Sequence, residues 1–485
     1  MKIAVACFAL LFATPLAAQP AEEVAITFEA QDGQRVAAFR GEVQVPENRS
    51  DPASRTITLS YVRFPSTSDI PGPPIVYLAG GPGGSGSGTA ERDRFPLFMA
   101  MRRHGDVIAF DQRGTGGSTA LPRCQSSIIP SQTEALSDDE YAELHRAAAR
   151  ECAAFWQSEG IDIGGYTTLE SVRDLSALRQ HLGADRVVLW GISYGTHLAL
   201  AAIDAIPTEI DRAILASAEG LDQTVKLPTR TDAYFARLQS AIDTQPNAKA
   251  LYPDVKALMR KVHQQLEKKP LMLDIPTGDG SAFPFLFQRR HMQHLASSLI
   301  ADPGNAALLL ELYRSIGRGD AMPIARVIGA WQREGEAIAL SPMSTAMDVA
   351  SGISAERLAL FDIERRDALL GGYLNFPMPQ LVGVWPEIEL DDDFRDGPVG
   401  ETPVLLLTGT LDGRTYPEGQ YEAVAGLTNV TAITVEGAGH NLFMTSPQVE
   451  EAMHRFMQGE TQERRTIEVP LPDLAALPDW FDAGA

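Results

Sequence analysis

The stretch RVVLWGISYGTHLALAAI, residues 186–203, changes its periodicity at one serine. Before Ser193 the residues are continuously apolar, as in a short strand buried on both faces. After it the apolar residues recur at helical spacing. Ser193 stands between Gly191 and Gly195. This is G-x-S-x-G in strand–turn–helix order. A turn that sharp brings the positions two residues to either side into collision unless both are glycine, and it leaves the serine hydroxyl projecting from the strand end. The N-terminus of the following helix favours negative charge there. The reading predicts a catalytic serine rather than an idle residue in a tight turn.

Other segments resemble the first half of this stretch. PPIVYLAGG (73–81), DVIAFDQRG (106–114), DRAILASAE (211–219), TPVLLLTGT (402–410) and NVTAITVEG (429–437) are short, apolar and bounded by Gly, Pro or Asp. TITLSYVRF (56–64) is β-branched and aromatic. With helical patterns such as LESVRDLSALRQHLG (169–183) between them, they predict a mostly parallel sheet flanked by helices. Residues 222–395 interrupt the alternation with helical periodicity, and the strand pattern resumes at 402. The expected organisation is a signal segment over 1–18, a first part of an α/β core over 19–221, a helical cap over 222–395 inserted between late core strands, and the rest of the core over 396–485.

The chain has 485 residues, of which 44% are hydrophobic, enough to bury a large core and to exclude a disordered protein. The N-terminus carries Lys2, then the apolar run IAVACFALLFATPLAA, then small residues around Ala18. That order predicts a secretory signal cleaved after Ala18, with Cys7 inside it, and a periplasmic or secreted product. No later run is apolar over a length that would span a bilayer, so no stable membrane insertion is expected. In an oxidising compartment the two remaining cysteines, Cys124 and Cys152, are expected to pair. A net charge of −22 repels phosphate backbones and argues against nucleic-acid binding. The acidic run ELDDDFRDG near 389–397 reads as a solvated loop.

A serine hydroxyl needs a base, and the base an orienting acid. Among nine histidines, His440 alone follows a core strand in a glycine-rich loop, EGAGHNLF, near the end of the chain. His197 lies one turn along the helix from Ser193 and reads as a packed residue; His181 ends a helix. His291 and His294, in HMQH, have no evident acid or cysteine partner and read as cap surface rather than a metal site. The acid should end the preceding core strand, where Asp412 stands in LLLTGTLDGRTYP, with Glu418 and Glu436 as weaker alternatives. The order Ser193, Asp412, His440 is the one an α/β sheet of this kind imposes. An oxyanion site is expected at YLAGGPGGSGSG (77–88), where glycines let main-chain N–H groups approach a carbonyl. GPGGSG with Asp111 at the next strand's end also outlines a dinucleotide site. Pro82 removes a donor inside that loop, and a nucleotide site would leave the triad candidates unexplained.

GGPGGSG, DQRGTGGS, GISYGTHLAL, LLLTGTLDGRTYP and GAGH together resemble the secreted α/β-hydrolases of the proline iminopeptidase and tripeptidyl aminopeptidase group. The similarity extends upstream through GEVQVPENRSDPASRTITLSYVRF and to Cys124 and Cys152, which fall where such proteins often carry a disulfide. It implies the α/β-hydrolase fold, no cofactor, and oxyanion donors at the amides of Gly81 and Tyr194. The first glycine loop of iminopeptidases begins with histidine; Ala79 stands there in this chain.

These readings predict an exported serine hydrolase with a small peptide or ester as substrate and no metal. A peptidase acting at the amino end of short peptides is favoured. The alternatives are a carboxylic ester hydrolase or lactonase with the same triad, and an inactive binding protein on a hydrolase scaffold. An exopeptidase must hold a charged amine, and a buried ammonium needs an acid. Glu219 and Asp222, just after the strand RAILASA, and Asp348 in MSTAMDVASG are the candidates.

Overall fold

A computed structural model describes residues 23–278, 280–460, 463 and 465–477 of the protein. The signal segment and Cys7 lie outside the described residues. The central sheet comprises β1 (Val24–Glu29), β2 (Arg35–Pro46), β3 (Thr56–Phe64), β4 (Ile75–Leu78), β5 (Val107–Asp111), β6 (Val187–Ile192), β7 (Ile210–Ala216), β8 (Val404–Gly409), β9 (Val430–Glu436) and β10 (Arg465–Glu468). Their order is β1-β2-β3-β5-β4-β6-β7-β8-β9-β10. Pairing is antiparallel from β1 to β5 and parallel from β5 through β10.

Strands β4, β5, β6 and β8 are buried at every residue because helices cover both faces, which explains their unbroken apolar runs. Strand β2 instead alternates between buried and exposed positions in its second half, as an antiparallel strand with one solvated face does. One hydrophobic cluster fills each side of the sheet. In a parallel array the carboxyl ends fall on one edge, and the loops after them converge there. The glycine loop after β4, Ser193 after β6, Ser217 after β7, Asp412 after β8 and His440 after β9 all stand on that edge.

Between β7 and β8 the chain leaves the sheet. This segment is mainly helical, but it also carries a hairpin, Leu271–Pro276 paired with Ala282–Phe287, that helical periodicity did not predict. Alternation along LMLDIP and AFPFLF packs Leu273, Ile275, Phe283, Phe285 and Phe287 into a hydrophobic cluster of the inserted helices. The segment divides between two cores. Residues from Tyr234 to Ile328 form that separate cluster, whereas Met343, Met347 and Trp385 pack into the cluster on the sheet. The helix Pro342–Ser351 therefore belongs, by packing, with the sheet's own layer.

Cys124 and Cys152 form a disulfide. Cys152 lies on the helix Asp138–Ser158, which opens with a capping box between Ser137 and Glu140. Cys124 belongs to a two-residue strand paired with Ala339–Leu340 of the inserted segment. Beneath the segment DQRG, the fully buried Arg113 guanidinium grips Asp174 through two bonds of 2.7 Å and donates to the Glu47 carbonyl. Arg49 adds further bonds to Asp174 and Glu170, so the buried charges are paired. The run at 389–397 is partly structured: Asp391 caps the short helix Asp392–Arg395, and Phe394 is buried.

Candidate active site

Ser193 has φ +55° and ψ −130°, a conformation that costs a non-glycine residue about 1–3 kcal/mol and persists only where packing enforces it. The enforcing contacts are visible. A Cβ on Gly191 would stand 2.6 Å from the Gly195 carbonyl oxygen, and one on Gly195 would stand 2.1 Å from that of Leu78. Only glycine at both positions lets β6 turn into the helix Tyr194–Ala205 so close to β4.

Asp412 is fully buried, and every bond it makes holds the carboxylate form. Its Oδ1 accepts from the main-chain N–H of Arg414 (2.8 Å) and Thr415 (2.9 Å), and its Oδ2 from the Thr415 hydroxyl (2.8 Å). His440 Nδ1 lies 3.0 Å from both oxygens. Burial pushes this carboxyl up, but His440 and the surrounding donors outweigh it and hold the group below the usual carboxylate range. A carboxylate on Nδ1 favours the tautomer that leaves the Nε2 lone pair free. The His440 backbone is tied on both sides: its N–H donates to the Ala301 carbonyl at 2.8 Å, and its carbonyl accepts from the Ser217 hydroxyl at 2.8 Å. Of the alternative acids, Glu418 is engaged by Arg237 at 2.9 Å.

Ser193 and His440 line one cavity of about 430 Å³ together with Gly81, Pro82, Glu219, Lys226, Asp348 and Arg414. Gly81, at φ +130°, belongs to the loop after β4. Tyr194 is the first residue of its helix, where an N–H has no intrahelical partner, while its ring packs away and its hydroxyl meets Met347. The loop itself is clasped by Asp111, which accepts from the Ser85 hydroxyl (2.7 Å), the Ser87 hydroxyl (2.6 Å) and the Ser87 N–H (3.0 Å). Asp111 is thus occupied inside the protein and not presented to a nucleotide ribose, which removes the observation behind a dinucleotide site.

The three candidate amine-binding acids separate. Glu219 reaches the cavity but carries Lys226 at 2.6 Å. Asp348 is half-buried where it opens to the cavity, and its carboxyl group has no hydrogen-bond partner among the described residues. Burial and then the Glu219 charge push it up to about 8. Asp222 is not part of the cavity lining; its oxygens accept from the N–H (2.8 Å) and hydroxyl (2.5 Å) of Ser354, the cap of the helix Ala355–Glu364. Of the two histidines expected on the cap surface, His294 is exposed and lines the cavity, whereas His291 is half-buried, its Nδ1 accepting from the Gln288 N–H at 2.9 Å. His197 is packed, as its helical position implies. Sequence reasoning passed over Lys226, Arg414 and Ser217. Only Arg414 carried a signal, its place beside Asp412 in LDGRTYP.

The family profile described as alpha/beta hydrolase fold matches residues 73–447. The chain belongs to the α/β-hydrolase fold family. Among curated proteins, this hydrolase is similar to the serine protease Hip1 of Mycobacterium tuberculosis, 28% identical over 37% of this chain and 35% of that protein. It is also similar to the tripeptidyl aminopeptidase of Streptomyces lividans, 27% identical over 36% of this chain and 34% of that protein. The matched stretch spans about a third of the length of these curated relatives. Among solved structures, a proline iminopeptidase-related protein of Thermus thermophilus aligns over 87% of this chain and 97% of that one, with 17% identity and a TM-score of 0.38. No helix among the described residues is long and apolar enough to cross a membrane.

Proposed function

We propose that this hydrolase is an exported serine peptidase that releases residues from the amino end of short peptides. Ser193 attacks the scissile carbonyl. His440 takes its proton and returns it to the leaving amine, while Asp412 holds the imidazole in the tautomer that leaves Nε2 free. The N–H groups of Gly81 and Tyr194 receive the oxyanion, and water then hydrolyses the acyl-enzyme. The observation that carries the reading is the convergence, on one cavity, of a strained serine, an imidazole seated on a buried carboxylate, and an unpartnered acid, Asp348. Asp348, with Glu219 nearby, is the proposed seat of the substrate ammonium. Residues 222–395 act as the cap that limits entry to small or terminal substrates. A disulfide suits the oxidising setting of an exported protein.

A second reading, an ester hydrolase or lactonase, is favoured by the Lys226–Glu219 pair, which neutralises one of the two acids. The deciding experiment compares a free-amine peptide anilide with its N-acetyl form and with simple acyl esters. The peptidase reading expects acetylation to lower kcat/KM about a hundredfold or more, the scale of losing a buried charged contact. Equal rates, or turnover of esters alone, would replace it with the ester reading. An inactive binding protein would resist labelling of Ser193 by a fluorophosphonate.

A further inference from the structure

The charges around the cavity do not cancel. Glu219 and Lys226 neutralise each other at 2.6 Å. Asp412 is committed to His440 and to its own loop. Asp348, pushed up to about 8 by its burial, is largely protonated at neutral pH. Arg414 is what remains. Its Nη1 donates to two main-chain carbonyls, Ser297 at 3.0 Å and Leu374 at 3.2 Å. Among the described residues its Nε and Nη2 make no hydrogen bond, no carboxylate pairs with it, and neither nitrogen is sealed from solvent. In a chain of net charge −22, the cavity that holds Ser193 therefore presents a guanidinium without a counter-ion.

A partly buried guanidinium with two free donor positions is suited to one kind of guest. Its planar fork matches a carboxylate through two parallel bonds, and an acid brought into a restricted cavity repays the cost of leaving that charge unpaired. Position supports the assignment. Arg414 is two residues from Asp412, and its carbonyl partners belong to the inserted segment that covers the cavity. We propose that Arg414 anchors a carboxylate of the substrate, so that the hydrolase selects short anionic peptides. The proposal rests on the peptidase reading and extends it. With the ammonium held at Asp348, the selected substrate carries opposite charges on either side of the reacting bond or close to it. The carboxylate is either the C-terminus of a short peptide or an acidic side chain.

The test measures kcat and KM on the mature protein for a tripeptide with a free C-terminus, its C-terminal amide, the amide carrying Glu in the leaving portion, and two acyl esters that differ by a carboxylate in the leaving group. The wild type should favour carboxylate-bearing substrates by about tenfold or more, and the preference should shrink as salt is raised. In Arg414→Gln the ratio of carboxylate-bearing to neutral substrate should collapse toward one, chiefly through KM; Arg414→Lys should retain part of it. Preference for the free tripeptide identifies a terminal carboxylate, and preference for the Glu amide identifies a side chain. The proposal is overturned if wild-type rates are equal with and without the carboxylate, or if Arg414→Gln lowers every substrate by one factor, as a purely structural tie to Ser297 and Leu374 would. Refusal of every peptide would remove the peptidase reading alone, because the ester pair carries the same comparison. Should Arg414→Gln fail to fold, the lysine variant and the salt series on the wild type decide between the same outcomes.

Discussion

The hydroxyl of Ser217, at the end of β7, donates to the main-chain carbonyl of His440 at 2.8 Å. Ser217 is buried and holds φ +54°, so strain is kept at a residue that never reaches the cavity lining. Its effect is to fix one side of the loop on which His440 stands, opposite the bond from His440 N–H to Ala301. Ser217→Ala keeps the strained backbone and removes the bond. It should lower kcat about tenfold with little change in KM, and lower stability by about 1 kcal/mol, the size of one buried hydrogen bond. Steady-state kinetics with thermal unfolding check both. A KM effect without a kcat effect would deny Ser217 a positioning role.

Removing members of the proposed triad should produce losses that do not add. Ser193→Ala and His440→Ala should each cut kcat by at least about a thousandfold, and the double variant should be little worse. Asp412→Asn should also be severe, since an amide can stabilise the wrong imidazole tautomer. Circular dichroism should show the fold retained in Ser193→Ala. Turnover near the wild-type level in Ser193→Ala would end the mechanism.

Asp348 makes the pH profile depend on the substrate. At pH 6 both Asp348, at about 8, and the substrate amine are protonated, so forming the ammonium–carboxylate pair releases one proton. For a free-amine peptide, kcat/KM should climb about tenfold per pH unit toward pH 8 and fall once the amine deprotonates. An N-acetylated ester should lack this climb between pH 7 and 8, and Asp348→Asn should abolish it.

The same group affects stability with a defined sign. Its folded pKa lies above the ordinary carboxylate value, so the folded state binds the proton more tightly than the unfolded chain. Stability from this group is complete in acid, below the ordinary carboxylate pKa, and is lost as pH rises toward 8, by at most roughly 1.4 kcal/mol per unit. Asp348→Asn should therefore raise Tm over the wild type by an increment that grows from pH 5 to pH 8. An increment independent of pH would mean that Asp348 is not held protonated.

Reduction of the Cys124–Cys152 bridge opens a loop with a sequence separation of 28. The chain-entropy estimate for that length is a loss of about 3–4 kcal/mol. Because Cys124 lies in the strand paired with Ala339–Leu340, the loss should be felt in the inserted segment as well. Hydrogen exchange with and without reductant should show faster exchange at residues 338–340, together with a lower Tm.

Legibility followed burial. Strands β4 to β8, sealed on both faces or nearly so, were visible as apolar runs, and β9, only partly buried, as a β-branched one. Strands β1 and β2 and the hairpin 271–287 were not, because each has a solvated face and alternates with polar residues. Asp412 and His440, the proposed acid and base, were singled out from their places after strands, and the structure puts them 3.0 Å apart. Lys226 and Ser217 were not assigned functions, because a lone cation or hydroxyl has no local signature until its partners are known, and Arg414 showed only its place beside Asp412.

The change of period at Ser193, and the glycines around it, follow from the sequence alone. They are steric requirements acting over a few residues, and no other backbone satisfies them. The chain order of serine, acid and histidine is likewise a property of strands read one after another. What each acid does was decided by tertiary structure. Asp222 spends its oxygens on Ser354, 132 residues away, and Asp111 clasps Ser85 and Ser87 across the loop after β4. Glu219 meets Lys226, and Asp348, half-buried at the cavity, is desolvated until its proton is hard to remove. Pairing and desolvation depend on which distant segments the fold brings together, so four carboxylates of one chemistry take four different states.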